Sequence, residues 1–266
     1  MATNTTTPLT PEKVAALVPP PRQLPFDAPW EWLAAGWRDM WAMPAVSLTY
    51  GAIFAMVAGI VALGLWSVGA AALVPALVGG MLLTGPFVAV GLYEASRLQA
   101  RGESPTIANV LMAAMRAPGQ FALFGSFLLF AFMIWMQMAL LLMMLFLGDS
   151  MLPSPDAFVH TLLFTPRGLM LLIVGTIVGA LIATLVFAAS AVGVALLLDK
   201  PVDAFTAARA SVVAVASNPK PMALWAGLIV CMTAAGFATL LFGFVIAFPL
   251  IGHATWHAYA EVYGES

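Results

Sequence analysis

The chain reads as an all-α polytopic membrane protein, and three observations lead there. Apolar residues make up 62% of the sequence and charged residues only 8%, whereas soluble domains carry roughly a quarter charged residues. Several apolar runs exceed the ~20 residues needed to cross ~30 Å of hydrocarbon. These runs are continuous, where a transmembrane β-barrel needs alternation of apolar and polar residues. The net charge of −2 gives no electrostatic footprint for nucleic acid, which leaves the lipid bilayer as the first partner. Cys231 is the single cysteine, so an internal disulfide is excluded.

The segment 1–28 is different in kind. It is rich in Thr and Pro and lacks the apolar core of a signal peptide. Its composition predicts a disordered tail. The remainder, 29–263, is expected to form one integral membrane domain of about six spans. The first four are 45–66, 69–93, 119–148 and 167–198. The stretch 220–261 would measure about 63 Å as one helix, twice the hydrocarbon thickness. It must therefore fold back near Gly236 to Gly243, giving spans five and six.

Three amphipathic segments lie between these runs. In 27–44, Trp30, Leu33, Trp37 and Trp41 form one helical stripe, with Glu31, Arg38 and Asp39 toward the other side. In 104–118, Ser104 is placed to cap and Pro105 to open a helix. Its Ile107, Val110, Leu111, Ala114 and Met115 follow helical spacing. In 203–219, Asp203 opens a helix with Phe205, Ala208, Val212, Val213 and Ala216 on one face. Each segment stops at a proline, Pro44, Pro118 or Pro219, because an X-Pro step disfavours α geometry at the preceding residue. These read as interfacial helices, one before each odd-numbered span.

The unit of amphipathic helix, proline, span, turn and span then occurs three times, over about 29–103, 104–202 and 203–263. Aligning Pro86 with Pro249 places Glu94 on His257. Orientation follows from the positive-inside rule: Lys13, Arg22, Arg38, Arg97, Arg101, Arg116, Lys200, Arg209 and Lys220 fall on one side, and only Arg167 on the other. Both termini are therefore expected in the cytoplasm.

At AAGWRDMWAMPAVSLTYG (34–51), GPFVAVGLYEASR (85–97), LLLDKPVDAFTAARASVVAVASNPKPMALWA (196–226) and PLIGHATWHAYAE (249–261) the chain resembles a family of bacterial predicted integral membrane proteins of unknown function. Some members carry the label of a candidate cytochrome c oxidase subunit. In that family a Pro-Met pair often precedes the Leu-Leu-Asp, where this chain has Ala195 and Leu196. The resemblance implies a multi-pass helical fold and, through that label, the subunits of a respiratory complex as partners. It implies no activity.

Chemistry-bearing residues are few. There is no phosphate loop, no H-E-x-x-H, no G-x-S-x-G and no cysteine pair. No charged residue lies between 45 and 93, which argues against an ion-coupled pump. The midplane offers Trp135, Gln137 and scattered Ser and Thr. His253 and His257 sit one helical turn apart and are candidates for a metal or haem, with Tyr93, Glu94 and Tyr259 at similar depth. The alternative makes Trp256, Tyr259 and Tyr263 an aromatic belt and leaves the histidines to hydrogen-bond across helices or reach water. No firm metal or cofactor site follows. Glu94 is expected at the interface, paired with Arg97 or Arg101, or in contact with His257. Asp199, Lys200 and Asp203 read as solvated charge and a helix cap, or as a docking point for a partner. Met-rich 135–144 reads as adaptable packing. Gly175 with Gly179 and Ala189 with Gly193 read as close-packing faces. These expectations favour a non-enzymatic accessory or assembly protein near a respiratory oxidase. A small-molecule or lipid transporter or channel built from two-span units is the alternative.

Overall fold

The computed structural model describes residues 17–70, 73–148 and 155–264. The described residues form helices and no strand. In chain order the α-helices are α1 (Ala28–Ala42), α2 (Pro44–Ser67), α3 (Val74–Val88), α4 (Val90–Ala100), α5 (Ile107–Leu111), α6 (Pro118–Leu147), α7 (Pro155–Phe164), α8 (Pro166–Ser190), α9 (Gly193–Asp199), α10 (Ala204–Ser217), α11 (Pro219–Ala238) and α12 (Phe244–Tyr263). A 3₁₀ turn, Ala113–Arg116, joins α5 to α6. Among the described residues, four helices are long and apolar enough to cross a bilayer: Pro44–Ser67, Pro118–Leu147, Pro166–Asp199 and Pro219–Ala238. The expected span 69–93 is instead split at Ala89 into α3 and α4, with Pro86 inside α3. Pro249 sits inside α12 without such a break.

The three proline junctions share one backbone geometry. Met43 has φ −133° and ψ 58°, Ala117 φ −143° and ψ 66°, and Asn218 φ −129° and ψ 54°. Each is driven out of the α region by the proline that follows it. The chain therefore turns in the same way from α1 into α2, from the 3₁₀ turn into α6, and from α10 into α11.

The start of α5 differs from expectation. Thr106, not Ser104, is the N-cap. Its hydroxyl accepts from Asn109 N at 3.2 Å, while the Asn109 side chain accepts from Thr106 N at 3.2 Å. That reciprocal box needs a polar residue at the third helical position, which Ser104 would lack because Ile107 would stand there. Asp203 does cap α10, accepting from Thr206 N at 2.8 Å.

Helix α12 occupies the centre, packed on α1, α2 and α4, while α6 packs between α3 and α8. Close approaches explain these neighbours. A Cβ on Gly36 of α1 would lie 2.7 Å from Ala254 N of α12. One on Gly91 of α4 would lie 2.7 Å from Val110 Cγ1 of α5, and one on Gly193 of α9 would lie 3.0 Å from Ala207 O of α10. Gly79 and Gly179 admit the indole of Trp135, whose Nε1–H donates to Ala76 O at 2.6 Å. Those glycines thus receive an aromatic ring rather than a neighbouring backbone. Gly175 meets nothing within 4 Å.

The fold-back between α11 and α12 falls at residues 239–243, where Leu240 (φ 51°) and Leu241 (φ 74°) take left-handed conformations. Such conformations are uncommon for leucine. Here Thr239 Oγ1 ties the turn by accepting from Gly243 N at 2.9 Å.

Part of the expected tail is docked. Arg22 N donates to Val262 O at 3.2 Å, and Arg22 Nη2 to Gly264 O at 2.8 Å. Asn218 accepts from Leu24 N at 2.8 Å and donates to Arg22 O at 3.0 Å. Leu17, Val18 and Leu24 rest on the core. Prolines in this stretch leave few backbone donors to satisfy, and those of Arg22 and Leu24 find partners on α12 and at the α10–α11 junction. The rest of the expected tail, 1–16, lies outside the described residues.

Candidate functional site

A buried polar cluster joins α1, α2, α4 and α12. Asp39 of α1 is its centre. It accepts from Ser96 Oγ at 2.6 Å, from Gln99 Nε2 at 3.1 Å and from His257 Nε2 at 2.9 Å. Ser96 also meets His253 Nδ1 at 2.7 Å, and His253 Nε2 meets Ser47 Oγ at 2.9 Å. Ser96 has one proton and gives it to Asp39, so Nδ1–H of His253 donates to Ser96. In the neutral ring, Nε2 then accepts from the Ser47 hydroxyl. The result is a continuous chain from Ser47 through His253 and Ser96 to Asp39 and His257. Ser47 and His253 are fully buried, and the His257 side chain is 29% exposed. Burial pushes the Asp39 carboxyl up, but the hydrogen bonds from His257 and Ser96 hold it below its ordinary value.

The tryptophan stripe of α1 faces outward and Asp39 inward. Trp30, Trp37 and Trp41 are exposed, while Trp32, Gly36, Asp39 and Met40 pack inward. In a soluble protein an apolar stripe seeks the core, but beside lipid an apolar face can stay outside. The expected aromatic belt of Trp256, Tyr259 and Tyr263 is corrected in the same way: all three are buried, because α12 is the central helix. Trp256 and Tyr259 rings pack at 5.2 Å, and the Tyr263 hydroxyl donates to Ala210 O at 2.8 Å.

Glu94 is fully buried within the protein. It pairs with Arg97, through Nε at 2.7 Å and Nη2 at 3.0 Å, and with Arg116. Burial is tolerated because two guanidinium groups meet it. Arg101 goes elsewhere, to Asp199 at 3.4 Å, and Asp199 also accepts from the Tyr259 hydroxyl at 2.8 Å. Lys200 Nζ reaches Tyr263 O at 3.3 Å. The alternative Glu94–His257 contact is not formed: Arg97 and Arg116 take Glu94, and Asp39 takes the His257 ring.

Asp39, Ser47, Ser96 and Gln99 are the members of this cluster that sequence reasoning missed. Asp39 shares a face with Trp32, Gly36 and Met40 at helical spacing, and that face was the available signal. Ser47 and Ser96 carry none, since lone serines in apolar helices usually bond their own backbone. Among the described residues no group of three or more His, Cys, Asp or Glu is placed to hold a metal ion. His253 and His257 turn to Ser47, Ser96 and Asp39 instead.

The opposite face of α12 borders a partly open cavity of about 650 Å³, walled by α3, α8, α11 and α12 with Phe54 and Tyr93 from α2 and α4. Its lining is apolar apart from Tyr93, Thr184, Ser190, Trp225, Thr233 and Thr255. Gln137, which the sequence places at the midplane, is exposed on the outer face of α6 and takes no part in this wall.

Residues 73–199 match the family model described as "Predicted integral membrane protein (DUF2189)". No curated protein and no solved structure matches the chain. With its helical spans, this likeness makes the chain a multi-pass integral membrane protein.

Proposed function

We propose that the chain is a non-enzymatic membrane protein that binds, and carries or shields, a small membrane-soluble molecule in its apolar cavity. The cavity is the observation that carries this reading: about 650 Å³ lies within the ~300–1,000 Å³ typical of small-molecule sites. Binding is favoured over catalysis by the burial of the Ser47–His253 pair. A nucleophile and base need space beside them for the reacting atom, and four helices enclose this pair completely. The polar cluster then serves to fix α1 and α4 to the central α12.

The architecture we infer is six spans in three repeated units. In support, the three proline junctions share one backbone geometry. Three close contacts between neighbouring units also recur at equivalent positions. Gly36, Val110 and Ser211 stand at the same offset before Met43, Ala117 and Asn218. Each faces a small residue of another unit, respectively Ala254, Gly91 and Gly193. Alignment of Pro86 with Pro249 superposes Gly91 on Ala254. The third unit thereby closes back on the first as a ring. Bacterial inner-membrane location rests on the family resemblance and cytoplasmic termini on the Lys and Arg distribution, and the contacts of Arg22 with Val262 and Gly264 keep both ends on one side.

The test is purification through a tag on the N-terminal tail in mild detergent, followed by mass spectrometry of extracted small molecules and of co-purifying proteins. An apolar compound enriched to about one per chain is expected. A preparation with only bulk lipid would overturn the binding reading. Stoichiometric respiratory subunits would favour the accessory role beside an oxidase, which the family resemblance alone suggests.

A further inference from the structure

The large cavity is open on one side, and that side faces lipid. Most of its exposed lining residues fall on two lips: Ala180 and Thr184 on α8, and Ala223, Gly227 and Val230 on α11. Both helices are long and apolar enough to cross a bilayer. A gap separates them because each packs elsewhere, α8 on α6 and α10, and α11 on α12 and α1. At 1.5 Å per residue, the α11 lip lies about 6 to about 17 Å along the span from its start at Pro219. That depth falls within the ~30 Å of hydrocarbon. The lips carry mostly small side chains, and a Cβ on Gly227 would meet nothing within 4 Å.

The far end is shut. Phe54 and Met81 line both this cavity and a second one, of about 330 Å³, between α2 and α3. The Phe54 ring stacks on Phe248 at 3.8 Å and meets Phe244 edge-on at 5.4 Å. No Lys, Arg, His, Asp or Glu lines either cavity.

Building on the binding function above, we propose that the ligand enters sideways from the bilayer through the gap between α8 and α11, with Phe54 and Met81 closing the far end. The route restricts the chemistry. A charged group would have to cross hydrocarbon and then rest against a wall with no counter-charge, so the ligand is uncharged. Three wall hydroxyls are spent on their own helices: Thr184 on Ala180 O, Ser190 on Val186 O and Thr255 on Ile251 O, each at 2.7 Å. They demand no polar partner, so the ligand is held by its apolar body.

The experiment uses the full chain in lipid nanodiscs with 4-fluorobiphenyl as the probe. Exchange spectroscopy on the ¹⁹F signal reads the bound fraction and the exit rate separately. Ala180→Trp and Gly227→Trp put a bulky ring on opposite lips, and each is expected to slow exit about tenfold by raising the barrier. A ring that only crowded the cavity would do the reverse, lowering the bound fraction and speeding exit. Val57→Trp, placed in the second cavity beyond Phe54, should leave the exit rate unchanged. Two lip sites keep the test decisive if one variant fails to fold. Exit that is unchanged or faster in the lip variants would overturn the route and leave the cavity function intact. Slower exit in Val57→Trp alone would overturn it too, by moving the entrance to the α2–α3 side. So would a dimer that the lip substitutions break without changing exit, since a second copy would then fill the gap. No bound signal from the wild type would overturn the cavity function itself, and this proposal with it.

Discussion

Asp39 accepts hydrogen bonds from Ser96, Gln99 and His257, so α4 and α12 both depend on one carboxylate of α1. Asp39→Asn keeps the shape but replaces one acceptor oxygen with a donor that faces other donors. The variant is expected to lose about 1–3 kcal/mol, read as a lowered melting temperature in detergent. The pH dependence has a definite sign. The folded-state carboxyl lies below its ordinary value, so its contribution is present above the unfolded value. It is lost as pH falls through the depressed folded value. Wild type should therefore show a steep loss of melting temperature on the acid side of the ordinary carboxylate range, and Asp39→Asn a shallower one. Identical acid limbs would remove Asp39 from the account. Asp39 was hard to read because its neighbours Arg38 and Glu31 are exposed. Its face turns inward where Trp32 and Met40 are buried and Gly36 packs on Ala254.

The contact of α1 with α12 is closer than that of α9 with α10, which sets up a graded comparison. A Cβ on Gly36 would lie 2.7 Å from backbone of α12, where nothing can rotate away. A Cβ on Gly193 would lie 3.0 Å from Ala207 O and 3.3 Å from Ser211 Cβ. Gly36→Ala is expected to cost about 1–3 kcal/mol by forcing the helices apart. Gly193→Ala should cost less, and a thermal melt of both variants measures the order. The helix starts show which local signals suffice. Pro44, Pro118 and Pro219 mark their junctions from sequence because the proline ring acts on the residue before it. The cap at Thr106 needs the position of Asn109 as well, and an interior proline does not by itself mark a break, since α12 runs unbroken through Pro249.

Taken whole, the chain brings both described ends to one side of the bundle and opens an apolar cavity on the other face of α12 from the polar cluster. The orientation predicted by the Lys and Arg distribution has a direct check. In a Cys231→Ser background, cysteine at Ser67 should react with an impermeant maleimide from outside intact cells. Cysteine at Ser104 should react only after the membrane is opened. The reverse pattern would overturn the orientation.

Membrane class, the positions of most spans, and the three proline junctions were determined by the sequence alone. Each depends on a local property: apolar length against bilayer thickness, or one ring acting on its neighbour. The sequence also singled out His253 and His257 but not their partners. Tertiary structure decided that Asp39 faces inward, that the tryptophans of α1 face outward, and that Glu94 is buried between Arg97 and Arg116. The physical reason is that lipid accepts apolar side chains as readily as a core does. Hydropathy therefore does not distinguish the inner from the outer face of a membrane helix, and close packing with buried polar pairing makes that choice.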